Sequence, residues 1–403
     1  MLNMPIGNSF PKNYGGTIMK YYTLEEICSI EYGKDHKRLD DGDIPLFGTS
    51  GVIRYVNASL YSGPSVMIPR KGTLSGVYFS DKPFWTIDTL FYTKVNEDIV
   101  LAKYLYYYLK TLDFNNLDEG TTVPSLTRAT LYQLKIPVPS LKEQEYIVSV
   151  LESIDCQIEL NQAINDNLEA MARQLYEYWF VQFEFPDENG RPYKSSGGKM
   201  VWSDELNKEI PALWQVGTIL DIATYKNGLA CQKYPCQINE VGLPVIKIKE
   251  MKQGISSSTQ RASKNVPEYA LIESGDILFS WSASIEVSIW TGENGVLNQH
   301  IFKVIPKDQY FKSFDYFTLQ DCVNVFRTIA EARKTTMGHI TQDHLKQMPS
   351  IIPNVKVLKG FEGILSPILQ LYSSVSKENL TLMHRREQLA ADLLSGKVKL
   401  ALS

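Results

Sequence analysis

The phrase Pro139-x-Leu141-x-Glu143-Gln144 leads into an apolar ladder of Ile147, Leu151, Ile154, Ile158, Asn161, Asn165, Leu168, Ala172, Leu175 and Trp179. Adding 214 to each number gives Phe361, Leu365, Ile368, Tyr372, Val375, Asn379, Leu382, Arg386, Leu389 and Leu393. Steps of four and three alternate in both ladders, which places one seam along one side of a helix. Two such seams in one chain predict two long helices that pair with each other. The charge supports pairing of unlike helices. Residues 141–185 carry 2 basic and 9 acidic groups, whereas residues 351–403 carry 7 and 4, so opposite signs flank the two seams.

Around the ladders the order is globular, helix, globular, helix. The segment from Met1 to Met19 is rich in Gly, Pro and Asn, lacks periodicity and is expected to be disordered. Residues 20–140 form the first globular segment, with strands near Ile44–Phe47, Val66–Ile68, Val77–Phe79 and Leu90–Val95 and a helix near Ile99–Leu112. Residues 186–211 read as a turn-rich linker. Residues 212–350 repeat the plan, with strands near Leu243–Ile248, Asp276–Ser280 and Ile301–Ile305 and a helix near Phe314–Ala330. The offset between the halves is 199 at Ile44 and Leu243 but 211 at Ile68 and Phe279, so the second segment carries twelve extra residues between these points. Insertions concentrate in loops, where recognition surfaces usually sit. The phrase Gly198-Lys199-Met200-Val201 is echoed by Gly396-Lys397-Val398-Lys399, which predicts a circular repeat with an approximate two-fold axis.

Ser366-Pro367 interrupts the second ladder. Proline cannot donate to the helix and is tolerated after a Ser cap, so a break or kink near Ser366 is expected, with the continuous coil beginning there. Asn165 and Asn379 share a ladder position; either they fix register within the seam or they sit at a solvated edge.

Several function classes lack their signatures. No run of about eighteen apolar residues is present, so a membrane span is not expected and the cytoplasm is the default. Five scattered cysteines fit reduced thiols, and Cys231 with Cys236 lacks the further ligands that zinc needs. No Gly-x-Gly-x-x-Gly, phosphate-binding loop or Asn/Asp-Pro-Pro-aromatic motif occurs. Asp187 with Glu250 only loosely suggests a nuclease metal site, and His339 with His344 lacks the Glu of a zinc helix. No catalytic or metal residue is assigned.

The net charge of −4 hides two nearly neutral globular segments that hold most of the cations. Candidate DNA contacts in the first are Lys34, His36, Lys37, Arg38, Arg54, Arg70, Lys71, Thr121, Thr122 and Arg128. In the second they are Lys226, Asn227, Gln232, Lys233, Lys249, Lys252, Gln253, Lys334, Thr335, Thr336 and His339. Arg can bond guanine twice, Asn and Gln can do so with adenine, and Lys or Thr commonly hold phosphate. The span from Ile147 to Trp179 is roughly 48 Å of helix, equivalent to roughly fourteen base pairs. A strut of that size suits two half-sites about one turn apart.

The phrase Ile136-Pro137-Val138-Pro139-Ser140-Leu141-Lys142-Glu143-Gln144, the exit Trp179-Phe180-Val181-Gln182-Phe183-Glu184 and the close Leu393-Leu394-Ser395-Gly396-Lys397-Val398 resemble the specificity subunits of type I restriction-modification systems. The resemblance covers the chain from about residue 20. It implies an α+β chain in which two α/β target-recognition domains alternate with two long helices paired as an antiparallel coiled coil. It further implies a non-enzymatic reader of double-stranded DNA. Each domain would read half of an asymmetric bipartite target, and the helices would dock two methyltransferase subunits that methylate adenine, joined by translocating restriction subunits. S-adenosylmethionine, ATP and Mg would be held by those partners and not by this chain. The alternative is a tandem DNA-binding or architectural protein without a methyltransferase partner, which co-purification would distinguish.

Overall fold

The computed structural model describes residues 19–120, 122–256, 258–308, 310–331 and 339–398. Thr121, Lys334, Thr335, Thr336 and the expected disordered start before Met19 lie outside them. Contacts divide the chain into two units. One runs to Ile158 and resumes at Leu382, and the other is Glu159–Thr381. Among the described residues no helix is long and apolar enough to cross a membrane.

In the first unit, β1 (Lys20–Thr23) leads into the one-turn helix α1 (Leu24–Ile27). Thr23 and Glu26 form a capping box that satisfies donors at the start of the turn. The strands β2 (Cys28–Tyr32), β3 (Asp41–Gly48), β4 (Gly51–Val56), β5 (Ser65–Pro69), β6 (Tyr78–Ser80), β7 (Trp85–Thr86) and β8 (Leu90–Val95) follow. Helix α2 (Ala102–Lys110) buries Tyr104, Leu105 and Leu109 against them, and α3 (Arg128–Tyr132) precedes β9 (Lys135–Val138). Three sheets result, ordered β1-β9, β2-β8-β5-β6 and β4-β3-β7. Helix α4 (Leu141–Tyr176) then begins. Glu143 accepts from the Ser140 hydroxyl at 2.7 Å, while the fully buried Gln144 accepts from the Leu101 N–H and donates to the Ile99 and Pro139 carbonyls. The repeated phrase is therefore a cap and a latch onto the sheet domain.

In the second unit, a turn of π-helix over Glu177–Val181 ends the first long helix and sinks Trp179 and Phe180 into the core. The segment read as a linker is folded. It carries the hairpin β10 (Met200–Ser203) with β11 (Lys208–Pro211), and Phe185 stacks on Tyr193 and Trp214 at 4.6 and 4.9 Å. After β12 (Gln215–Thr218) come α5 (Ile219–Ile222), β13 (Ala223–Asn227), β14 (Leu243–Ile246), α6 (Ile248–Gln253), β15 (Arg261–Ala262), β16 (Leu271–Ile272), β17 (Ile277–Ser280), β18 (Glu286–Ile289), β19 (Gly295–Leu297) and β20 (Ile301–Pro306). Helix α7 (Lys312–Glu331), α8 (Gln342–Gln347) and β21 (Pro349–Ile352) lead into α9 (Val355–Leu394). The sheets repeat the first unit as β12-β21, β13-β20-β17-β18 and β15-β14-β19-β16, with the hairpin in addition.

The repeat extends to single hydrogen bonds. Leu24 N–H donates to Leu134 as Ile219 does to Met348, Asn96 to Ile27 as Lys307 does to Ile222, and Leu126 to Arg70 as Ile340 does to Trp281. The parallel pair Leu46 with Trp85 matches Val245 with Val296. The twelve extra residues fall between β14 and β16, where α6 replaces the tight Thr49-Ser50 turn.

The paired helices run antiparallel. In the first unit Ile147 and Leu151 share a buried core with Ala390, Leu393 and Leu394, and Arg386 bonds Asp155 at 2.8 Å. In the second, the Asn165 amide donates to the Ser376 hydroxyl at 2.8 Å, and Ala172 shares a core with Phe361 and Leu365. Asn161, Asn165 and Asn379 are buried, so the shared Asn position lies within the seam and the solvated-edge reading falls. Two expectations are corrected. Helix α9 starts at Val355 and passes through Pro367 without a break; Pro367 and Gly363, whose carbonyl loses its usual donor, are both exposed, so solvent can satisfy that carbonyl. Leu389 is 37% exposed and leaves the seam, which passes through Ala390 instead, one residue on.

Candidate nucleic-acid interface

One end of the four-stranded sheet in each domain gathers polar and aromatic side chains. In the first domain β2 ends at Tyr32, where the chain turns so tightly that a Cβ on Gly33 would sit 1.9 Å from the Ile87 carbonyl oxygen. β5 ends beside it and delivers Arg70 and Lys71, both of whose N–H groups donate to the Thr89 carbonyl. The loop before α3 is tied down by Asp118, which accepts from the Gly120 and Ser125 N–H groups at 2.8 and 2.7 Å. The N–H of Gly72 then donates to Pro124 and that of Leu126 to Arg70, which brings Arg128 to the same edge in the first turn of α3.

The result is a compact cluster. Tyr32 is 45% exposed, and its ring centroid lies 5.2 Å from the Arg70 guanidinium carbon and 4.6 Å from that of Arg128. Each guanidinium spends one nitrogen on a backbone carbonyl, Arg70 on Asp88 at 2.6 Å and Arg128 on Ile30 at 3.2 Å. Among the described residues neither forms an ion pair. Lys34, following Gly33, and Lys71 are exposed at the same edge, and Thr122 is exposed in the loop that crosses it.

The matched edge of the second domain is built by the same bonds but closed differently. A Cβ on Gly228 would sit 2.3 Å from the Leu297 carbonyl oxygen, so Asn227 is turned out as Tyr32 is. Trp281 stands where Arg70 stands and donates its indole N–H to Asn227 Oδ1 at 2.9 Å. The rings of His300 and His339 lie 5.5 and 5.4 Å from Trp281. Gln342, exposed, occupies the place of Arg128. Lys226 is exposed next to Asn227.

Other candidates stand apart from these edges or are committed to the fold. Arg54 bonds Asp41 and the carbonyls of His36 and Leu39 within 3.1 Å, so it ties down the loop that carries His36, Lys37 and Arg38. Lys252 pairs with Glu286 at 2.6 Å, and Lys249 reaches Ser258. Gln253 ends α6, and Gln232 with Lys233 are exposed on a short turn after Ala230. Two more lysines are consumed by the buried Asp276. Burial alone would raise its pKa, but bonds from Lys303 at 2.7 Å and Lys312 at 3.0 Å outweigh that and hold the carboxyl below its ordinary value. Glu250 caps α6 through the Lys247 N–H, Asp187 bonds Arg191, and His344 accepts from the Thr341 N–H, so each of these motif fragments is occupied by local structure. No group of His, Cys, Asp and Glu among the described residues could hold a metal ion.

Cation counting misses Tyr32, Trp281, His300 and Gln342. They emerge when three offsets are applied together, 195 for the strand ending at Tyr32, 211 for the strand ending before Arg70 and 214 for the helix that starts at Arg128.

Comparison with known proteins agrees with this construction. Residues 18–170 and 211–366 match the family described as type I restriction modification DNA specificity domain. The chain is 23% identical over 407 residues to the type I restriction enzyme MjaIX specificity subunit of Methanocaldococcus jannaschii, covering 96% of this chain and 88% of that protein. It is 23% identical over 366 residues to the HindI specificity subunit of Haemophilus influenzae, covering 75% and 79%. The crystal structure of a type I restriction-modification S subunit from M. genitalium superposes with a TM-score of 0.56 at 15% identity, over 97% of this chain and 98% of that one, which shows a shared fold. With the family matches spanning both sheet domains, most of α4 and the start of α9, the chain belongs to the type I restriction-modification DNA specificity family.

Proposed function

We propose that this chain reads an asymmetric bipartite double-stranded DNA target for a type I restriction-modification complex. Each sheet domain reads one half-site. Two methyltransferase subunits bind the chain and methylate adenine at the site it selects, and restriction subunits complete the nuclease in the cytoplasm. S-adenosylmethionine, ATP and Mg belong to those partners, and this chain contributes recognition rather than a chemical step. One observation carries the reading: two backbones that share their main anchoring bonds present unlike side chains at the same sheet end, Tyr32, Arg70 and Arg128 in one and Asn227, Trp281 and Gln342 in the other. A fixed scaffold with exchangeable polar tips is what independent readers of two different half-sites require.

The test is co-expression with the methyltransferase subunit followed by mapping of methylated bases. One bipartite motif with unlike halves is expected. The absence of any new methylation in the presence of a stably co-purifying partner would refute the reading.

A further inference from the structure

The cluster at the first reading edge differs from an ordinary basic patch in how its cations are held. A surface lysine or arginine used for backbone attraction is normally mobile, and its contribution is a sequence-independent charge. Here Arg70 and Arg128 come from two separate elements onto one tyrosine ring, and a backbone carbonyl fixes one nitrogen of each. The ring contact and the anchoring bond restrain each guanidinium, and among the described residues its other N–H groups have no hydrogen-bond partner. Neither is neutralised by a carboxylate among the described residues. A planar donor fork held in one orientation matches an acceptor pair held in one orientation. On the base edges of duplex DNA that pair is guanine O6 and N7. Lys34 and Lys71 beside the cluster supply the mobile charge that phosphates need.

Resting on the DNA-reading function above, we propose that the Tyr32, Arg70 and Arg128 cluster is the specificity-determining element of the first domain and that it reads guanine. Arg70 and Arg128 supply the donors, and Tyr32 positions them. The second domain holds Asn227, Trp281 and Gln342 at the corresponding positions and cannot make this contact there.

The experiment uses the complete chain with its methyltransferase subunits and compares wild type with R70Q, R128Q, R128K, Y32F and Y32A by methylation mapping and by duplex binding at several salt concentrations. The wild-type motif should contain guanine in the half that follows residues 20–140. R128Q or R70Q should reduce the preference for that guanine on the order of ten- to a hundredfold, the range expected for one lost bidentate contact. The other half-site should be unchanged, which also reports that the protein remains folded. R128K should not restore the preference, because an ammonium lacks the fork. Y32F should retain it and Y32A should weaken it. Uniform weakening on all sequences, with the salt slope falling by about one per arginine, would assign the pair to phosphates and overturn the guanine reading. A motif without guanine in that half would overturn it while leaving the DNA-reading function intact. A wild-type complex that directs no methylation would overturn both.

Discussion

The first domain closes its reading edge with two arginines on a tyrosine, whereas the second closes the matched edge with a tryptophan bonded to an asparagine. The bonds beneath are the same in both: the tight approach of Gly33 and Gly228, and the loop amide that donates to Arg70 in one domain and Trp281 in the other. Backbone bonds and buried apolar contacts hold the edge, and neither depends on what the exposed tips are. The tips are therefore able to diverge at little cost to the fold. In the second domain the additional residues around α6 widen that difference without disturbing the parallel pairing of β14 with β19.

The largest effect should come from exchanging a whole domain. Replacing residues 20–140 with the corresponding segment of a relative should change one half of the methylated motif and leave the other half intact, as read by methylation mapping. If both halves change together, the two edges do not act independently and the comparison between them loses its functional meaning.

The helix seam supplies a second contrast at one repeated position. In the first unit Asp155 bonds Arg386 at 2.8 Å with both side chains about four-fifths buried, and the Tyr107 hydroxyl also donates to Asp155. Adding or subtracting 214 places Leu369 and Ala172 at the same points in the second unit, where Ala172 is buried in the apolar core and Leu369 packs against it. R386A should cost roughly 3 kcal/mol, because it leaves a largely buried carboxylate without its cation. The double variant D155L/R386A reproduces the apolar arrangement and should return to within about 1 kcal/mol of wild type. Denaturant unfolding measures the cost, and hydrogen exchange should place the loss in residues 20–138. A double variant that stays as unstable as R386A alone would show that the ion pair contributes net stability over the apolar arrangement.

These contrasts mark where sequence reasoning reaches and where it stops. The offset of 214, the strands around Val66 and Leu90 and the twelve-residue insertion are legible because periodic burial and turn residues act locally. Pro367 misleads because the cost of a missing helix bond depends on which side of the helix it faces, and that side is solvent. Leu389 misleads because the seam's phase shifts by one residue near the helix end, where Leu393 and Leu394 are both buried. Arg54 looks like a DNA ligand until the carbonyls of His36 and Leu39 come to lie beside it, a contact that spans a hairpin. Tyr32 and Trp281 are invisible to a search for cations, since their place at the edge follows from strands far apart in the chain.

The smallest predicted effect concerns a buried position where the domains also differ. Tyr104 of the first domain donates its hydroxyl to the Pro137 carbonyl at 2.8 Å. The matched residue of the second is Asp315, which is 2% exposed, and both of its carboxyl oxygens are buried without a hydrogen-bond partner among the described residues. Burial holds its pKa well above the ordinary carboxylate range, and the nearby Tyr225 is likewise kept neutral by burial. At pH below about 4 folded and unfolded chains both hold the proton. As the pH rises, the unfolded chain releases it first. The second unit therefore loses stability from that point upward until the folded carboxyl itself ionises, after which the slope vanishes. D315L removes the unpaired group and should raise stability by roughly 1–2 kcal/mol at neutral pH, with less gain in acid. Y104F in the first domain should instead cost about 1 kcal/mol at every pH, because it strands a carbonyl that had a partner. Unfolding measured across pH 4 to 8 separates the two: a D315L curve parallel to wild type would mean that the Asp315 carboxyl titrates alike in the folded and unfolded chains, and the contrast between the two buried positions would then disappear.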